Sequence, residues 1–282
     1  MLRKIIVAAV FVVGLSIFFY PIVSDWFNTQ EHHSSITKHN EAWKNMSDKK
    51  KEQERQKAEE YNAALQNQPV SIEDPFAEEV SGEVEENQHY LNVLDIGEAM
   101  GSIEIPSIDV RIPIYHGVSE DVLSQGIGHM PNSSLPVGGK GNHAALTGHR
   151  GLPSSKLFRN LDEIKVKDRF QIHTLGETLT YEVDDIQIVL PTETSWLEFN
   201  PTEDLVTLIT CEPYMINTHR LLVRGKRIPT EETKEAAALV TPDGPMIEAE
   251  KPMYLLWIAL LILLMSILTY WYIRRRKRWK RR

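Results

Sequence analysis

The chain divides by pattern into two continuous apolar runs, a polar helical stretch and an alternating region. Ile5 to Val23 form an apolar run of about 19 residues, and Met253 to Ile273 another of about 21; both exceed the roughly 18 that mark a membrane-crossing helix. From about Glu31 to Gln68 the sequence is rich in Lys, Glu, Gln and Ala and has no Gly or Pro. That composition predicts one or two exposed helices, a stalk, with Ala58, Tyr61 and Leu65 at helical spacing. Pro69 ends it, and a loop containing Glu73-Asp74-Pro75-Phe76 leads into an acidic stretch that runs to about Asn87. From about Tyr90 the pattern changes to the apolar–polar alternation of half-buried strands, at Ile103–Pro106 and Val110–Ile114. Further strand-like runs cover Ala144–Thr147, Phe170–His173, Leu179–Val189, Leu205–Cys211 and Leu221–Ile228, separated by Gly138-Gly139, Gly141, Gly151 and Gly176. Short strands at this spacing predict a closed or nearly closed β-barrel.

Charge sets the topology. Arg3 and Lys4 precede the first run, and eight Lys and Arg between Arg274 and Arg282 follow the second. By the positive-inside rule both ends stay in the cytoplasm and the middle lies outside. No small-x-small cleavage site follows the first run, so it reads as an uncleaved anchor; a cleaved signal is the alternative, and either one exports the middle. The expected segments are a cytoplasmic 1–4, a span over 5–23, an extracellular stalk with its loop over 24–89, a barrel over 90–229, a linker over 230–252, a second span over 253–273 and a basic tail over 274–282. The formal charge is −8, and without the terminal basic residues the external part carries about −18. Such an acidic domain argues against nucleic-acid binding, and the basic tail is a topology and lipid-headgroup signal.

One cysteine, Cys211, is present. An exported lone thiol is an inert core residue, an intermolecular crosslink or a nucleophile. If Leu205–Cys211 pairs antiparallel with Leu221–Ile228 across the loop punctuated by Pro213 and Asn217, Cys211 faces Arg220. Thr210, Leu208 and Val206 then share the core side with Leu221 and Val223, because side chains alternate along a strand. A guanidinium beside the thiol favours the nucleophilic thiolate. Of the ten histidines, those before residue 90 are expected in solvent on the stalk, and His219 points away from Cys211 by alternation. His149, in Leu146-Thr147-Gly148-His149-Arg150-Gly151, is the candidate base, with flanking glycines that let the backbone turn sharply. The histidine spacing and the single cysteine argue against a metal site.

These residues resemble a known family. Thr207-Leu208-Ile209-Thr210-Cys211 followed by Arg220 looks like the sortase signature, and Leu146-Thr147-Gly148-His149 looks like the family's histidine motif. The likeness covers roughly Gly101 to Pro229. Cys211-Glu212-Pro213-Tyr214 with Asn217-Thr218-His219-Arg220, the second apolar run and Asp74-Pro75-Phe76 are similar to class C, the pilin-polymerising sortases of Gram-positive bacteria. In that class some members have Trp where Phe76 stands.

The resemblance implies a mostly β, sortase-type closed barrel of about eight strands with short helices, preceded by a helical stalk and lid and flanked by two transmembrane helices. It implies a multi-pass protein of the bacterial cell membrane with its catalytic domain outside, acting on LPXTG-type pilin subunits that supply both the sorting signal and the acceptor lysine, with no cofactor. Cys211, His149 and Arg220 would be catalytic, Asp74, Pro75 and Phe76 would form an autoinhibitory lid, and Leu146 and Thr210 would bind substrate. The competing expectations are a sortase that attaches proteins to cell-wall peptidoglycan, a secreted cysteine protease and a non-catalytic surface stalk.

Overall fold

The computed structural model describes residues 2–66, 74–76, 88–152 and 155–229. The linker 230–252, the second apolar run 253–273 and the basic tail lie outside the described residues. Helix α1 (Leu2–Asn45) carries the first apolar run without a break into the polar region, and α2 (Asp48–Leu65) follows after Ser47 turns the chain into an extended conformation. Among the described residues, α1 is the one helix long and apolar enough to cross a membrane.

Eight strands close into a barrel in the order β1-β2-β3-β4-β7-β8-β6-β5. They are β1 (Gly101–Ile105), β2 (Val110–His116), β3 (Ile127–His129), β4 (His143–Thr147), β5 (Arg169–Thr174), β6 (Glu177–Val189), β7 (Leu205–Glu212) and β8 (His219–Arg227). The runs expected from alternation all fall on strands. Strand β3 was not among them, because three residues are too few to display a period. Strand β7 lies parallel to β4 and antiparallel to β8, which seats it between two elements of opposite direction. The 13-residue β6 is irregular between Val183 and Asp185, where an extra residue bends the strand as closure requires.

Alternate residues fill the interior: Ile103, Ile112, Leu146, Ile172, Val206, Leu208, Leu221 and Val223 belong to one buried cluster. Phe170 and Tyr181, register partners, stack 5.5 Å apart within it. The opposite face of β4, β7 and β8 contributes to a second, smaller cluster outside the barrel, containing Ala145, Ile209 and Leu222 with Val118, Leu123, Met130, Val189 and Leu197.

The expected exposed stalk is corrected. Helix α1 lays His32, Ser35, Ile36 and His39 on the barrel, and α2 buries Ala58, Tyr61 and Asn62. Asn62 imitates a backbone strand, donating to the Leu135 carbonyl at 3.1 Å and accepting from the Leu135 N–H at 2.7 Å. The buried stripe on α1 is largely polar, so its composition reads as solvent-facing although its i, i+3, i+4, i+7 spacing is that of a packed face. His32 and His39, expected in solvent, instead meet the carbonyls of Gln125 (2.8 Å) and Ala99 (2.7 Å).

Two further histidines are enclosed. His129 has the Ser134 carbonyl at 2.8 Å and the Tyr90 hydroxyl at 2.9 Å, and His143 has the Glu198 carbonyl at 3.0 Å and the Thr207 hydroxyl at 2.7 Å. Burial pushes their pKa values down from 6.5, to about 3 for His129 and about 4 for His143. The unfolded chain therefore takes up these protons first. Their contribution is full above about pH 6.5 and is lost as the pH falls toward 4, at about 1.4 kcal/mol per unit for each histidine. We expect thermal-unfolding midpoints to drop progressively from pH 6.5 to 4; a flat midpoint across that window would show that these imidazoles are not held neutral.

Candidate active site

The ends of β4, β7 and β8 converge at one end of the barrel. In the β7–β8 ladder Cys211 pairs with Arg220 and Thr210 with Leu221, the register expected from the sequence. In the parallel β4–β7 ladder Thr147 pairs with Ile209. The chain then continues through Gly148, whose N–H donates to the Ile209 carbonyl at 3.1 Å and whose carbonyl accepts from the Thr210 hydroxyl at 2.7 Å. His149 thus leaves β4 beside the end of β7, the strand that carries Cys211. Gly148 is required by close packing and not, as its flanking position suggested, by a sharp turn. A Cβ there would lie 2.5 Å from Ile127 Cδ1 and 3.0 Å from Phe158 Cδ2, and its φ is not positive.

Every nitrogen of Arg220 is engaged. Its Nε and one terminal nitrogen donate to the two carboxylate oxygens of Asp74, at 2.7 and 2.5 Å. The other terminal nitrogen donates to the carbonyls of Asn217 (2.9 Å) and His219 (3.0 Å). The Phe76 ring lies between the two candidate partners of the thiol: its centroid is 5.2 Å from the Arg220 guanidinium carbon and 5.5 Å from the His149 ring. It also packs on the outer apolar cluster. Pro75 occupies the turn between Asp74 and Phe76.

Cys211 is 6% exposed. Burial raises its pKa to about 11; Arg220 acts against that and Asp74 reinforces it. The expectation that a nearby guanidinium alone would favour the thiolate is therefore incomplete. A charge already paired with a carboxylate does little for a thiol in a dry setting.

Several residues at this end carried no signal in the sequence. Arg150, directly after His149, is buried and ion-paired with Glu212, directly after Cys211, and with Asp162 at 2.6 Å. It also donates to the Arg159 carbonyl at 3.2 Å. This buried cation fastens the loop bearing His149 to the strand bearing Cys211. The Nε2 of His149 lies 3.2 Å from a carboxylate oxygen of Glu120, an exposed residue in the first turn of the short helix Glu120–Gln125. Leu146 and Thr210, expected to bind substrate, are both buried: Leu146 lies in the barrel interior, and Thr210 gives its hydroxyl to the Gly148 carbonyl.

Comparison with known proteins comes down on one family. Residues 103–228 match the family model described as the sortase domain. Sortase D of Bacillus subtilis is 31% identical over 137 residues, a match spanning 48% of this chain and 66% of that protein, just under two thirds of its length. The crystal structure of sortase C-1 from Actinomyces oris is 47% identical and superposes with a TM-score of 0.59, covering 64% of this chain and 99% of that one. A crystal structure of Streptococcus pneumoniae sortase C, described as giving insight into catalysis and pilin substrate specificity, is 44% identical with a TM-score of 0.62, covering 69% and 96%.

The pairing of Asp74 with Arg220 and the burial of Cys211 generate one expectation. Replacing Asp74 and Phe76 together by Ala removes the carboxylate that raises the thiol pKa and frees the Arg220 guanidinium that lowers it. We expect the midpoint of the pH–rate profile for iodoacetamide alkylation to fall below about 11, and the rate at pH 8 to rise about tenfold for each unit of that fall. An unchanged profile would show that the 74–76 segment neither covers nor tunes the thiol.

Proposed function

This chain belongs to the sortase family of cysteine transpeptidases, and we propose that it joins pilin subunits by a two-step acyl transfer at Cys211. The supporting observation is the β7–β8 register, which sets Cys211 opposite Arg220 at the strand ends beside His149. In the first step the Cys211 thiolate attacks the carbonyl carbon of the Thr–Gly bond in an LPXTG-type sorting signal. The tetrahedral oxyanion is held by the Arg220 guanidinium, a donor worth about 3–4 kcal/mol where charge develops. The C–N bond breaks, His149 gives a proton to the departing glycine amine, and a thioester remains on Cys211. In the second step a lysine amine attacks the thioester, His149 takes the amine proton, the C–S bond breaks and an amide links the two subunits.

For either step the 74–76 segment has to leave, because every nitrogen of Arg220 is engaged while Asp74 is in place. In this reading Asp74, Pro75 and Phe76 form a lid. Its departure would uncover the apolar cup of Ala145, Ile209 and Leu197, which suits the apolar side chains of a sorting signal. Helix α1 would anchor the enzyme at the outer face of the cell membrane, where precursors held in the same membrane reach a high effective concentration. The second apolar run, 253–273, would be a further anchor.

The test is incubation of membrane-reconstituted enzyme with purified pilin bearing a sorting signal. We expect a ladder of covalent multimers, its loss in Cys211→Ala, and a fall of about 10²–10³ in turnover for Arg220→Gln. Transfer to peptidoglycan stem-peptide amines without a ladder would assign wall attachment instead, and hydrolysis alone would indicate a protease. Retained activity in Cys211→Ala would overturn the reading.

A further inference from the structure

Strand polarity shows which end of the barrel faces where. Strands β4 and β7 end, and β8 begins, at the rim that carries Cys211, Arg220 and the chain leading to His149. Helix α1 runs along the barrel from this rim to the opposite one. Asp25 accepts from the Lys156 N–H at 3.0 Å in the loop after β4. Further along, His39 meets the carbonyl of Ala99, just before β1, and Trp43 lies against Gly176 in the β5–β6 turn at the far rim. The 18 residues from Asp25 to Trp43 span about 27 Å of helix, enough to cover the barrel's length. The apolar run ends at Val23, two residues or about 3 Å before the first of these contacts. The uninterrupted helix therefore projects its apolar half from the active-site rim and not from the far one.

The surface at that rim fits the same direction. Outside α1, the exposed large apolar residues among the described ones are Val166, Ile188, Leu190, Tyr214, Met215 and Ile216. All six belong to segments at the active-site end: the turn entering β5, the end of β6, and the loop between β7 and β8. Met215 lies close over Gly151, in the same loop that reaches Asp25 through Lys156. Exposed lysines stand at the same rim, Lys165 and Lys167 on either side of Val166 and Lys156 beside Asp25. Exposed apolar side chains at a rim that also carries lysines are what an interfacial lipid contact uses.

We infer that the active-site rim rests on the lipid surface, with Leu190 and the Tyr214-Met215-Ile216 tip seated in the headgroup region, so that the catalytic mouth opens toward the bilayer. This rests on the reading of α1 as a membrane anchor. A sorting signal would then be cleaved at the membrane surface itself rather than a barrel's height above it.

The full chain, with Cys211→Ala to remove the native thiol, is given single cysteines by Ile216→Cys, Leu190→Cys, Glu177→Cys at the far rim, or Phe18→Cys within the apolar run. Each is labelled with an environment-sensitive fluorophore and reconstituted into phosphatidylcholine vesicles, with and without phosphatidylglycerol, that contain nitroxide-bearing lipid. We expect labels at 18, 190 and 216 to be quenched at least about twofold more than the label at 177, because interfacial insertion brings them among the lipids. Quenching at 18 with positions 190 and 216 no different from 177 overturns the inference and leaves the anchor intact. Absence of quenching at 18 defeats the anchor reading and the inference with it. A change at 216 that appears only on adding soluble pilin would make the tip a protein-docking surface and overturn the lipid assignment.

Discussion

The registers of β7 with its two neighbours are the constraint on which the site depends. Parallel pairing with β4 and antiparallel pairing with β8 bring three chain segments to one rim with their polar residues aligned. Because side chains alternate with a period of two, a slip of one residue would send Leu208 and Val206 outward and Cys211 into the barrel. The fully buried Leu208, Val206, Leu221 and Val223 oppose such a slip, so the same apolar contacts that hold the barrel also aim the thiol. The ion pair between Arg150 and Glu212 extends this fixation beyond the ladders. Each member follows a proposed catalytic residue directly, so the spacing of His149 and Cys211 is set by packing on one side and by charge on the other.

Much of this was legible in the sequence because strands built on strict alternation declare both their existence and their faces. Leu205–Cys211 and Leu221–Ile228 gave the β7–β8 register, and with it the pairing of Cys211 and Arg220. The helices were harder to read. Residues His32, Ser35 and His39 are polar, yet they are buried because backbone carbonyls or neighbouring side chains meet their polar atoms. Composition scores such residues by their cost in an apolar medium and misses their partners. The motif around Leu146 and Thr210 likewise hid that both are buried, Thr210 with its hydroxyl on the Gly148 carbonyl. A motif marks residues that matter, and it does not say whether they matter by touching substrate or by holding the strand that does.

The thiol shows how two terms of opposite sign set a resting state. Burial of Cys211 disfavours the charged form, and a free guanidinium opposite would favour it. Asp74 opposes the second term from its place on the guanidinium, and the Phe76 ring lies against that same cation. In the proposed reading, one departure therefore reverses both, because removal of the 74–76 segment wets the sulfur and frees the cation in the same event. No separate activating group is then needed.

In the proposed reading that arrangement carries a cost in substrate affinity, which an orientation at the membrane would help to offset. A charge-assisted hydrogen-bond pair such as Asp74 with Arg220 is worth roughly 1.5–3 kcal/mol per bond to a charged group. If about 3 kcal/mol favours the closed form, the open form is populated at about one part in a hundred, and apparent affinity for a sorting signal falls by the same factor. A soluble peptide would meet that penalty in full. A precursor confined to the same bilayer, presented to a mouth that opens on the lipid surface, arrives at a far higher effective concentration and can displace the segment by mass action. In that reading a closed resting site and a membrane-facing rim belong together: the first would spare the thiol from stray reaction, and the second would let the tethered substrate compete for Arg220.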